Sequence, residues 1–114
     1  MNPAVDPSAL EGLRELNPED PSFLRELIDV FLEDVPKRIA ELEKSLATSD
    51  ASLLTRAAHT IKGSCSNFGA TNLARISQDM EKQGKAADFA GATANLPALK
   101  AEFLLVTQAL QQYR

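Results

Sequence analysis

Apolar residues recur at steps of three and four through most of this chain, the spacing that places side chains on one face of an α-helix. The longest such run is Leu24, Leu27, Phe31, Val35, Ile39, Leu42 and Leu46. It predicts an amphipathic helix over about 20–47, opened by Asp20 as a cap with Pro21 in the first turn. Pro36 falls inside the run. Its missing N–H and its ring clash cost about 3 kcal/mol in an ideal helix, yet the stripe keeps its phase across it, so a kink is expected and not a break.

The other runs are shorter. "DPSALEGLREL" predicts a helix over 7–16 with Asp6 as cap and Pro7 in its first turn. "TSD" opens a third helix over 50–68, with Leu54, Ala57, Ala58, Ile61, Cys65 and Phe68 on one face and Gly69 as a left-handed terminator. Thr71 starts a fourth over 71–83 through Leu73, Ile76 and Met80, with Gly84 ending it. The last stripe, from Phe89 through Ala92, Leu96, Leu99, Phe103, Val106 and Leu110 to Tyr113, predicts a helix over 87–112. Pro97 allows either a kink there or a shorter helix at 87–95 followed by another. Four long stripes joined by short connections predict an all-α fold, an antiparallel up-down four-helix bundle, with the short additional N-terminal helix covering one end.

Composition narrows the class. The chain has 114 residues, 44% of them apolar and 25% charged, which suits one domain over 1–114 with one core. Four stripes that can be buried against each other predict a monomer. Cys65 is the lone cysteine, so no internal disulfide is possible, and no basic segment followed by an apolar run opens the chain. The expectation is a cytoplasmic protein with no membrane span. Met1 favours a free-standing protein over an excised domain.

A net charge of −4 argues against nucleic acid as a partner. The balance reverses locally. Between Thr55 and Lys85, Arg56, Lys62, Arg75, Lys82 and Lys85 face only Asp79 and Glu81 in the count, which makes a local basic surface.

The candidate chemistry lies in that segment. "HTIKGS" contains the single histidine, His59, with Lys62, Gly63 and Ser64 after it. On a helical wheel His59 lies roughly 150° from the apolar direction, so it faces water, with Thr55, Lys62, Gly63 and Ser66 beside it. A neutral imidazole carries one nitrogen lone pair able to attack an electrophile, and Lys62 can neutralise an anion that arrives there. Gly63 costs about 1 kcal/mol relative to alanine inside a helix, so it either leaves room beside the imidazole or lets a neighbouring helix come close. Cys65 lies in the apolar stripe and reads as a buried structural thiol. One histidine without a partner at ligand spacing makes a poor metal site.

"AAHTIKGSCSNFGA", residues 57–70, resembles the signature of histidine-containing phosphotransfer domains, in which H-x-x-K-G-S is followed by a glycine several residues later. His59, Lys62, Gly63, Ser64 and Gly69 match it, and the order of helices matches along nearly the whole chain. The resemblance implies that His59 is phosphorylated by a receiver phospho-aspartate and passes the group to another receiver, with Lys62 stabilising the phosphoryl oxygens and Gly63 giving access. A polar residue on the next helix holds the second ring nitrogen in such proteins. Here that is Glu81, or Gln78 one turn earlier, with Ser64 and Ser66 as further supporting residues. The partners implied are receiver (response regulator) domains and a hybrid histidine kinase. The chain is then a phosphoryl-carrying relay protein and no autonomous enzyme. It needs no cofactor of its own, Mg being expected on the receiver. Two alternatives stand beside this: the phosphoacceptor domain of a chemotaxis-type or hybrid kinase, and a non-catalytic helical adaptor.

Overall fold

The computed structural model describes residues 3–114, and among them every regular element is helical. The elements are α1 (Pro7–Leu16), α2 (Phe23–Thr48), α3 (Ala51–Cys65), α4 (Thr71–Lys85) and α5 (Phe89–Gln111), with a 3-10 turn, Ser66–Phe68, continuing α3. Helices α2 to α5 pack in a closed ring, each against its neighbours, and α1 lies on α2 and on the 3-10 turn. This is the expected bundle with its N-terminal cover.

Local signals account for most boundaries. Asp6 accepts a hydrogen bond from Ser8 N (2.9 Å), Asp50 from Leu53 N (3.1 Å) and Asp88 from Gly91 N (2.9 Å), each satisfying a first-turn amide that the helix leaves without a partner. Asp20 differs from expectation. It does not cap α2 but accepts from the Ser22 backbone N–H and hydroxyl, closing a turn around Pro21 so that the helix starts at Phe23. Those bonds from Ser22, side chain first, hold the Asp20 carboxyl below its ordinary value.

Both internal prolines are accommodated. Pro36 sits exposed within an unbroken α2, and Pro97 within an unbroken α5, so the alternative of two short helices at 87–95 and beyond is not what forms. In each case residues on both sides of the ring pack into the core, Val35 and Ile39 in α2 and Leu96 and Leu99 in α5, and hold the helix together through the lost bond.

The core follows the stripes. Leu24, Phe31, Val35, Ile39, Leu42, Leu54, Ala57, Ala58, Ile61, Cys65, Phe68, Leu73, Met80, Ala92, Leu99, Val106 and Leu110 are all buried. Phe31 meets Phe68 edge-to-face at 5.1 Å between ring centres and lies 6.0 Å from Phe103, joining three helices. Burial pushes the Cys65 thiol up to about 12, which leaves it protonated and inert.

Two glycines take different parts. Gly69 has φ +61° and terminates the 3-10 turn in the left-handed conformation expected of it, while Asp6 N donates to Phe68 O at 3.0 Å. Gly84, expected to end α4, lies inside it. The left-handed residue after the helix is Ala87 (φ 54°), and the role of Gly84 is spacing: a Cβ there would stand 2.8 Å from Thr55 N and 3.0 Å from Thr55 Cα. Absence of a side chain at Gly84 sets how closely α4 approaches α3.

Candidate functional site

The site forms where α3 and α4 are brought together by that approach. Helix α3 turns its apolar face inward, so His59 on the opposite side leaves its side chain 65% exposed. From α4, Glu81 reaches the same place, but from within the bundle: its side chain is only 9% exposed. His59 Nδ1 lies 3.0 Å from Glu81 Oε2. Lys62 Nζ lies 2.8 Å from Glu81 Oε1, and Lys85 Nζ 3.4 Å from Oε2. The Lys62 contact is a close ion pair whose angle departs from that of a straight hydrogen bond.

These contacts define the charge state of the carboxylate. The Lys62 ammonium is the largest influence and draws the Glu81 carboxyl down to about 2; burial opposes it, and His59 and Lys85 add to the lowering. At neutral pH Glu81 is ionised. An ionised carboxylate only accepts hydrogen bonds, so the ring nitrogen that faces it must carry the hydrogen. The neutral imidazole is thereby held with Nδ1–H donating to Glu81 and with the Nε2 lone pair directed away from that contact, on a ring that is mostly in solvent.

The remaining residues singled out from the sequence fall as follows. Gly63 is exposed, and a Cβ at this position would meet nothing within 4 Å. Of its two readings, open room beside His59 holds, and close helix packing belongs to Gly84 instead. Ser64 Oγ donates to Thr60 O (3.0 Å) and Ser66 Oγ to Gly63 O (2.8 Å), so both hydroxyls are tied to their own helical backbone. Gln78 is exposed on α4 and makes no hydrogen bond to the ring; the next turn of the helix carries the residue that does, Glu81. Lys62, expected to stabilise phosphoryl oxygens, lies beside His59 with its ammonium paired to Glu81 Oε1. Lys85 belongs to the site and was counted only as part of a basic surface; its position four residues after Glu81 on one helix was the available signal. Among the described residues, no three His, Cys, Asp or Glu side chains gather as a metal site would require.

Fold and site together describe a helical bundle with one exposed histidine whose Nδ1 is held by a carboxylate from the next helix. The family model described as the Hpt domain matches residues 26–114, and the chain belongs to that family. It is a histidine phosphotransfer protein of a phosphorelay. Among solved structures it is similar to histidine-containing phosphotransfer protein B (HptB) from Pseudomonas aeruginosa PAO1, with 28% sequence identity and a TM-score of 0.89 over 98% of this chain and 95% of that one. No curated protein matches the chain.

Proposed function

We propose that His59 Nε2 is the phosphoryl acceptor, loaded from a phospho-aspartate on one receiver domain and unloaded to the aspartate of another. The observation that carries this is the His59 Nδ1 to Glu81 contact at 3.0 Å on an exposed ring. In the transfer the Nε2 lone pair forms the N–P bond as the P–O bond to the receiver breaks, and the bonding pair leaves with the aspartate carboxylate. No proton moves. The ring, still protonated at Nδ1, becomes cationic, and the Glu81 carboxylate lies against the hydrogen where that charge is felt. Because the ring proton is held and not removed, the phosphorylated ring remains a good leaving group and can pass its phosphoryl group on to a second aspartate.

Room for the group comes from Gly63, beside which no other atoms lie within contact distance. A shallow depression of about 130 Å³ on the α2–α3 face, lined by apolar Leu27 and Val30 and by polar Asp34, Ser64 and Asn67, offers a mixed surface for docking. Val30 is 64% exposed within it. Such a contact suits a transient complex, below about 1,200 Å² in total. The receiver supplies Mg and most of the catalytic groups, and the chain acts as carrier and not as an enzyme. A hybrid histidine kinase is the upstream source. A monomer in the cytoplasm fits this role, and among the described residues no helix is long and apolar enough to cross a membrane.

Incubation with a phosphorylated receiver tests the proposal. A label should appear on this chain that survives base, is lost in acid, and is absent in His59→Gln. Equal labelling of His59→Gln refutes His59 as the acceptor, and no labelling of the wild type by any receiver of its organism leaves the adaptor reading.

A further inference from the structure

The four groups of the site are not equally committed to one another. Glu81 holds three positive or hydrogen-bearing partners on two oxygens: Lys62 alone on Oε1, and His59 and Lys85 together on Oε2. Lys62 is the tighter lysine, at 2.8 Å with its side chain 33% exposed. Lys85 is the looser, at 3.4 Å and 66% exposed. Because Lys85 and Nδ1 share one acceptor, their separation is no more than the sum of 3.4 and 3.0 Å.

Resting on the functional reading above, the geometry points to an exchange at this carboxylate: on phosphorylation of His59, Lys85 leaves Glu81 and becomes the cation that neutralises the phosphoryl group, while Lys62 stays as the tether that keeps Glu81 aimed at the ring. Two changes drive it. Phosphorylation makes the ring cationic, so Oε2 then serves two positive neighbours that repel each other at short range. The same event places a dianion on the far nitrogen of that ring, within reach of a flexible four-carbon side chain already in solvent. Lys62 feels the first change less, since it sits on the other oxygen, and it loses more by leaving, since it is the chief stabiliser of a buried carboxylate. The assignment reverses the one implied by the motif, where Lys62 meets the phosphoryl oxygens. It makes Lys85 a residue that touches the transferred group, and Lys62 a positioning residue.

The test uses the full chain phosphorylated chemically with phosphoramidate, so that no cognate receiver is needed. The ³¹P chemical shift of the phosphohistidine is followed against pH in wild type, Lys62→Met, Lys85→Met and, as a control, Lys82→Met. A cation beside the phosphoryl group in a wet site lowers its protonation midpoint, so Lys85→Met should raise that midpoint by about 0.7 of a pH unit. Lys62→Met and Lys82→Met should leave it within about 0.2. Lys62→Met should instead disturb the ¹⁵N pattern of the unphosphorylated ring, which Lys85→Met should leave alone. Circular dichroism verifies that each variant is folded. A midpoint unmoved in Lys85→Met, or moved as far in Lys62→Met, overturns the exchange while the relay reading stands. A chain that takes no phosphoryl group at His59 from phosphoramidate or from any receiver removes the relay reading and the exchange with it.

Discussion

Replacing each of two helical glycines by alanine separates room for a ligand from room for a helix, because the same methyl group should act with opposite sign on stability. At Gly63 the added Cβ meets nothing within 4 Å, so the change in backbone propensity is the whole effect. Alanine in place of glycine inside a helix stabilises by about 0.5–1 kcal/mol, and Gly63→Ala should raise the melting temperature by about 2–4 °C in a chain of this size. At Gly84 the propensity gain is the same, but the methyl would stand 2.8 Å from Thr55 N and 3.0 Å from Thr55 Cα. Those are backbone atoms, and neither can swing away as a side-chain end would. Forcing α3 and α4 apart costs about 1–3 kcal/mol, so Gly84→Ala should be destabilised by about 1 kcal/mol net, with a melting temperature lower by about 4 °C. Thermal unfolding by circular dichroism measures both. Function should divide the other way from stability in Gly63→Ala: the stabilised variant transfers phosphoryl groups more slowly, since the methyl occupies the space beside His59. A destabilised Gly63→Ala, or a Gly84→Ala more stable than wild type, would refute the reasoning.

Other expectations follow from the same contacts. Glu81→Ala removes a charge-assisted hydrogen bond worth about 1.5–3 kcal/mol to the ring, so ¹⁵N spectra should show mixed His59 tautomers and phosphotransfer should slow about ten- to a hundredfold; a single unchanged tautomer would contradict the role given to Glu81. Glu81 has its carboxyl lowered from 4.5 to about 2, so the unfolded chain takes up that proton first as pH falls. Its stabilisation is complete above about 4.5 and disappears toward about 2, and the decline in stability across that window should be shallower in Glu81→Gln, as urea titrations at each pH would show. Cys65 should resist iodoacetamide in the folded protein and react promptly in denaturant, because its thiol is buried and protonated. Phe68→Ala, which removes a fully buried ring that stacks edge-on against Phe31, should cost about 3–5 kcal/mol by urea unfolding.

What could be read along the chain was whatever depends on one helix at a time. The stripe from Leu24 to Leu46 marks the inner face of α2 through Pro36, since a helical period is local and a proline shifts it little when both flanks are apolar. The outward direction of His59 follows likewise from the inward direction of Leu54, Ala58, Ile61 and Cys65 on its own helix. Asp6 and Asp50 act as caps, as read, because the amides they satisfy are two or three residues away, and Asp88, which was not singled out, does the same for α5. Contacts between helices are another matter. Whether Glu81 or Gln78 meets the ring depends on the axial register and rotation of α4 against α3, which neither helix contains by itself. The close approach at Gly84 and Thr55 sets that register. It also captures Lys62 in an ion pair with Glu81, brings Lys85 into the site, and turns a glycine that looked like a terminator into a spacer. Periodicity therefore determined the fold and the exposure of His59, while the packing of two helices decided which ring nitrogen faces Glu81 and which cations attend that carboxylate.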